Sequence, residues 1–214
     1  MSWLDIVIPP GCVSCKQRGA LLCSTCRSRV RVASDSRDRF AIPDAGIVIG
    51  DAFEFAAAAC AYEGPLRSAL AALKYKGVRR LAPLVAELTA PAVGCVLTVL
   101  DSAILVPVPV HRERQRARGY NQAELIARAL GRTHGLAVAE LLGRRRSTEK
   151  QHRLNRAARL ANLRGAFQAI APVPADCILV DDIITTSATL EACALALRAA
   201  GATAVYGVAV AREV

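Results

Sequence analysis

Apolar residues along the chain come in short runs separated by polar turns, the pattern of alternating strands and helices. Phe53 to Tyr62 reads as a strand, ended by Glu63-Gly64-Pro65. Leu66 to Lys74 then has helical spacing, with Leu66, Leu70 and Leu73 on one face. Lys74-Tyr75-Lys76-Gly77 closes that helix with two cations and a glycine, which suits a helix C-terminus and accounts for both lysines without a ligand. A second helix is expected over Arg80 to Leu88 and a buried strand over Ala103 to Val108. A helix follows from Ala123 to Leu130, and a short strand from Ala166 to Ile170. Ile178-Leu179-Val180 is a strand running into Asp181-Asp182, succeeded by a helix from Leu190 to Ala200. Thr203 to Ala211, alternating and β-branched, supplies a final strand.

Composition narrows the fold. The chain is 53% hydrophobic but only 4% aromatic, so its core is Ala, Val, Leu and Ile. That favours a parallel sheet covered by Ala-rich helices over an aromatic β-sandwich. A length of 214 residues holds one α/β core and a small appendage. No uninterrupted apolar run approaches the ~18–20 residues of a membrane span. The start, Met1-Ser2-Trp3-Leu4-Asp5, lacks the basic region of a secretory signal. The expectation is a soluble, cytoplasmic protein.

Cysteine usage separates the appendage. Cys60, Cys95, Cys177 and Cys193 are scattered among apolar residues and read as small buried hydrophobes. Cys12-x-x-Cys15 and Cys23-x-x-Cys26 are instead two matched pairs, and two such turns supply four thiolates to a structural Zn²⁺. Disulfides are the competing reading, although nothing places the chain in an oxidising compartment. A segment this short has no core of its own, so metal binding would provide most of its folding free energy. The organisation expected is a Cys₄ knuckle over 1–31, a polar linker with Pro43 and Gly46 over 32–50, and the main domain over 51–214.

Charge then points to an anion. The formal charge is +10, and the whole excess lies between His111 and Arg164, with fourteen Lys and Arg against four Glu. Pyrophosphate, a phosphorylated sugar and nucleic acid all suit such localisation; a high arginine content throughout the genome is the alternative. Two stretches concentrate it. The first is a loop after the Ala103–Val108 strand, with Arg112, Arg114, Arg116 and Arg118 leading into Gly119-Tyr120-Asn121-Gln122. Open α/β sheets bind ligands at such a place, and Arg holds phosphate bidentately while Gly119 lets the backbone approach. A solvated surface loop is the plain alternative. The second is Arg144 to Asn155, too charged to pack and expected as a lid bringing Arg145, Lys150 and Arg153 over a leaving anion.

The most specific stretch is Ile178 to Thr189. Two aspartates at a strand end accept hydrogen bonds only, which suits neighbouring hydroxyls or a hydrated Mg²⁺. The hydroxyl-rich loop after them opens a helix whose unpaired N–H groups and dipole favour an anion. Ordinary helix capping and strand-end carboxylates would also account for it. Read together, diol or metal on the carboxylates and phosphate on the loop outline a ribose 5-phosphate. The order resembles the phosphoribosyl pyrophosphate (PRPP) motif of type I phosphoribosyltransferases, with Ser187 where those enzymes usually carry Gly.

Four segments together resemble the ComF family, a phosphoribosyltransferase-like group associated with DNA uptake and competence. They are the Cys₄ knuckle, Pro107-Val108-Pro109 with Arg118-Gly119-Tyr120-Asn121-Gln122, Gln151 through Asn162, and Val180-Asp181-Asp182 with Thr185-Thr186. The resemblance implies a type I phosphoribosyltransferase-like parallel sheet flanked by helices, with an amino-terminal zinc knuckle. It implies PRPP as ligand, with Asp181 and Asp182 on the ribose hydroxyls. Thr185, Thr186, Ser187, Ala188 and Thr189 would take the 5′-phosphate, Arg118, Gly119 and Tyr120 the pyrophosphate, and Mg²⁺ would bridge pyrophosphate and ribose. Three functions stay open: a transferase acting on an unknown acceptor, a non-catalytic PRPP sensor, and an accessory protein that grips single-stranded DNA.

Overall fold

The computed structural model describes residues 9–32, 47–100, 102–145, 163 and 165–213. Its centre is a mixed, mostly parallel sheet of five strands in the order β1-β2-β7-β6-β3. The strands are β1 (Ile47–Ile49), β2 (Phe55–Ala61), β3 (Ile104–Pro107), β6 (Asp176–Ile184) and β7 (Ala204–Arg212). Only the β1–β2 pair is antiparallel. β6 lies between β3 and β7 and is apolar on both faces through Cys177, Ile178, Leu179 and Val180, as a strand covered on both sides must be.

One face of the sheet carries α2 (Gly64–Tyr75), α3 (Ala82–Leu97) and α5 (Gln122–His134). Leu66, Leu70 and Leu73 of α2 are fully buried there alongside Ala69 and Ala72, each leucine contributing about 1.5–3 kcal/mol. The other face carries α6 (Ala188–Ala199) and a small antiparallel pair, β4 (Leu142–Arg144) with β5 (Phe167–Ala169). Glu191 of α6 is buried and caps a turn from within: its carboxylate accepts the N–H groups of Asp51 and Ala52 at 2.8 and 2.9 Å.

Three elements differ from their sequence expectation. The second helix does not stop near Leu88 but runs through Pro91 to Leu97, led in by a 3₁₀ turn at Arg79–Leu81. Pro91 removes one helical hydrogen bond, yet Ala92, Val93 and Val96 beyond it pack into the core and carry the helix past it. The arginine stretch expected as a loop is mostly a helix, α4 (Arg112–Arg118). None of its residues is buried, so no apolar periodicity could announce it. It has Glu113 in its first turn, Arg116 and Arg118 in its last, and Gly119 at φ 80° as its stop, which complements the helix dipole. Finally, β6 does not end at the aspartates: Ile183 and Ile184 remain paired with Ala211 and Arg212 of β7.

The knuckle docks on this body. After α1 (Ser24–Arg27), Val32 bridges Cys60 of β2, and Ala61 N–H donates to Arg31 O at 2.9 Å. Thus Val32 and Ile47–Ile49, inside the stretch read as a linker, both pair with β2; residues 33–46 lie outside the described residues. Leu84 of α3 packs on the cysteine cluster, and Arg27–Glu87 and Arg31–Glu63 ion pairs at 2.8 and 3.0 Å flank it. By length and composition Arg79–Leu97 is long and apolar enough to cross a membrane, but here it packs on β2, β7 and α5 as a core helix.

Candidate functional site

The site is built where the carboxyl end of β6 meets the ends of α2 and α5. Neighbouring strand residues point to opposite faces, so Asp181 and Asp182 need a local device to act together. Asp181 supplies it: its Oδ1 turns back to accept the N–H of Asp182 at 2.8 Å. Asp182 is 4% exposed and faces the α2 side. There Lys74 Nζ stands 2.8 Å from its Oδ2, and Gln122 Nε2 approaches the same oxygen at 3.4 Å. Lys74 therefore does more than end a helix. Its signal in the sequence, a cation at a helix C-terminus, is common enough that only the fold exposes its second partner.

The loop Arg118-Gly119-Tyr120 is pinned to the end of α2. Tyr120 is buried, and its hydroxyl donates to the carbonyl of Leu73, the residue before Lys74. Arg79 lies 4.5 Å over the Tyr120 ring and donates to Gly119 O at 3.2 Å. Gly119 is required by its φ of 80°, since the nearest atom to a Cβ there, at 2.9 Å, is the mobile end of the Arg79 side chain. Asn121 ties the loop to the start of α5 and to the end of β3: its Oδ1 accepts Ala123 N–H as a helix cap, and its Nδ2 donates to Val108 O, both at 3.0 Å. Arg118 consequently donates to Gln122 Oε1 and rests 5.8 Å from the Tyr75 ring. A continuous polar chain runs Arg118, Gln122, Asp182, Lys74. Beside it Arg112, Gln115, Arg116 and Gly119 line a cleft of about 380 Å³.

The hydroxyl loop completes one side. Ser187 adopts φ 57°, the left-handed region, and its Oγ donates to Thr186 O at 2.6 Å. It does not cap α6, so the first N–H groups of that helix have no side-chain acceptor from their N-cap. Ser187 and Ala188 are buried, Thr186 and Thr189 half-buried, and Thr185 exposed. Arg145 is exposed, with its N–H paired to Ala166 O at 2.8 Å. Lys150, Arg153 and the Gln151–Asn162 segment lie outside the described residues. Arg144, the first residue of the stretch expected to be too charged to pack, instead ends β4 half-buried and paired with β5: it lies 5.2 Å over Phe167, and burial and the Arg114 charge lower its pKa.

Electrostatics reflect this packing. Burial, and then the Asp182 charge, raise the Asp181 carboxyl to about 8, with Lys74 opposing. For Lys74, burial works to lower the pKa but is outweighed by the Asp182 carboxylate, and the ammonium is held above its usual value.

The four knuckle cysteines form a second centre. Their sulfur atoms lie within 4.8 Å of one another, and Cys15 and Cys23 Sγ are 3.5 Å apart. Four thiolates about 2.3 Å from one tetrahedral ion stand about 3.8 Å apart, so the cluster fits a metal ion. Burial alone would raise the Cys12 thiol; the N–H groups of Cys15, Cys23 and Ser14 aimed at it bring it down to about 6. Cys26, with burial dominant, is pushed up to about 12.

No family model matches the chain. Among curated proteins, it is 37% identical over 103 residues to the DNA utilization protein YhgH of Escherichia coli strain K12, covering 47% of this chain and 45% of that protein. It is 35% identical over 102 residues to Competence protein F of Haemophilus influenzae, 45% and 44% of the two chains. Competence protein ComFC of Bacillus subtilis is 33% identical over 89 residues, 41% and 35%. The matches span less than half the length of these relatives. They support a ComF family protein at modest identity and partial coverage.

Proposed function

We propose that the chain binds PRPP at the end of β6 and that the Cys₄ knuckle holds a structural zinc. One observation carries the ligand reading: Asp181-Asp182 is followed within five residues by a left-handed turn that leaves the start of α6 without a side-chain cap. Acceptors suited to a diol and donors suited to a phosphate thus follow one another along one strand–turn–helix segment. Asp181 and Asp182 take the ribose hydroxyls, and the N–H groups after Ser187 take the 5′-phosphate.

In a transfer reaction the C1–O bond to pyrophosphate breaks while the acceptor bonds to C1. Arg118 and the cations of α4 meet the negative charge that develops on pyrophosphate. Asp181 and Asp182 orient the ribose, and the Asp182 carboxylate, the one paired with Lys74, favours the positive charge developing at C1. Mg²⁺, carried with pyrophosphate, would add further charge neutralisation.

Calorimetric titration with PRPP in Mg²⁺ tests it, with ribose 5-phosphate and pyrophosphate titrated separately. Asp181→Asn should weaken PRPP and ribose 5-phosphate alike and spare pyrophosphate. PRPP binding unchanged in that variant, or absent from the wild type, refutes the assignment. A second reading, single-stranded DNA along α4, draws on the names of the relatives and on Arg112 and Arg116 lining an exposed cleft. It requires affinity that falls steeply with salt.

A further inference from the structure

Two carboxyl groups on consecutive residues, Asp182 buried and Asp181 half-buried, suit a divalent cation as readily as a sugar diol. Lys74 is the feature that separates the two uses. Its Nζ lies 2.8 Å from Asp182 Oδ2, with the Lys74 side chain 23% exposed and that of Asp182 6% exposed. The ammonium arrives from a different element than the carboxylates and is held there by the fold. The α2 face that carries it is buried through Leu66, Leu70 and Leu73, and Tyr120 is hydrogen-bonded to the carbonyl of Leu73. Gln122 brings a second donor to the same oxygen. Asp182 Oδ2 is therefore surrounded by donors from two helices before any ligand arrives.

We propose that Lys74 is a specificity-determining residue: it holds Asp182 as an acceptor for hydroxyl groups and keeps a free divalent cation off the carboxylate pair. The proposal rests on the ribose reading above. A carboxylate has about four lone-pair directions, so a hydroxyl can share Asp182 with the ammonium. A cation at the same oxygen meets a positive charge at hydrogen-bonding distance in a poorly solvated place, where repulsion is barely screened. Metal then enters only as the ion that pyrophosphate carries, and the site selects the sugar diphosphate over the metal alone.

The probe is Mn²⁺ in the absence of any sugar phosphate, with the free ion followed by electron paramagnetic resonance. Lys74→Met should bind Mn²⁺ at least about tenfold tighter than the wild type. Lys74→Arg keeps the cation and should stay as weak as the wild type. The Lys74→Met/Asp182→Asn double variant should lose the gain. Circular dichroism at the assay temperature checks folding, and Lys74→Gln replaces Lys74→Met if the latter melts. Equal Mn²⁺ affinity in the wild type and in the folded neutral variant overturns the proposal, as does a gain in Lys74→Arg. Titrating the wild type with PRPP keeps the two readings apart: PRPP binding with a flat Mn²⁺ series removes only the role of Lys74. No PRPP binding removes the ribose reading, whatever Mn²⁺ does.

Discussion

Removing the Lys74 ammonium should destabilise the protein by an amount the structure sets. Breaking a buried ion pair by deleting one partner costs about 3–5 kcal/mol, because the other charge stays buried and unpaired. Two features here reduce that. Lys74 keeps 23% of its side-chain exposure, so some water already reaches the pair, and Gln122 Nε2 remains 3.4 Å from Asp182 Oδ2. Lys74→Met is therefore expected to cost about 2–3 kcal/mol, or about 4–12 °C in Tm for a chain of this size. Asp182→Asn should cost less, about 1–2 kcal/mol, since a partly exposed ammonium can turn to solvent while a buried carboxylate cannot. The assay is urea unfolding at pH 7 of the wild type, both single variants and the double variant. The cycle should return a coupling of about 2 kcal/mol. A coupling below about 0.5 kcal/mol would mean that the two groups do not stabilise each other. The contact would then be a surface-like pair with no bearing on the site.

Chelation, or Cys26→Ala, should release one metal equivalent, measured by elemental analysis, and should lower Tm, because the knuckle holds Arg27 and Arg31 against Glu87 and Glu63; a Tm unchanged by metal loss would show that the knuckle does not stabilise the body. Asp181 binds its proton more tightly folded, at about 8, than the ordinary 3.8. The folded state therefore holds the extra proton between those values, and stability should fall as pH rises from about 4 to about 8, by at most about 1.4 kcal/mol per unit. Melting curves across that range should be flatter for Asp181→Asn; equal slopes in both proteins would refute the shift.

The sequence disclosed the parts of this molecule that depend on local pattern. Leu66, Leu70 and Leu73 marked α2 because a one-sided apolar face repeats with the helical period, and the paired cysteines marked the knuckle because metal ligation needs that spacing. α4 was hidden for the converse reason: a helix with no buried residue leaves no apolar period, and its capping charges also suit a loop. The reach of β6 past Asp182 was hidden because strand ends are set by the partner, here Ala211 and Arg212 of β7. Lys74 and Gln122 were hidden as site residues because they reach Asp182 from 108 and 60 positions away in the chain, through packing that no local window contains. Tyr120 was read as part of the ligand loop; the structure buries it and turns its hydroxyl to Leu73, so it positions the loop from behind.

Ser187 joins these two kinds of information. The sequence marked it as the residue out of place in the phosphate loop, and the structure gives it φ 57°. A non-glycine residue there costs about 1–2 kcal/mol. Its hydroxyl, bonded to Thr186 O, offsets part of that and is thereby withheld from the helix start it could have capped. The chain thus keeps a strained residue and an uncapped helix at one point, although glycine would have relieved the strain and a serine in extended conformation would have supplied the cap. The turn is held by its neighbours, since Ile184, Ala188 and Leu190 are all buried around it. Strain that packing enforces beside open N–H donors has a physical use when an anion takes up those donors. In the ribose reading proposed above, a phosphate group would do so, and the carboxylate pair three residues before the loop begins would restrict which phosphate: one attached to a diol.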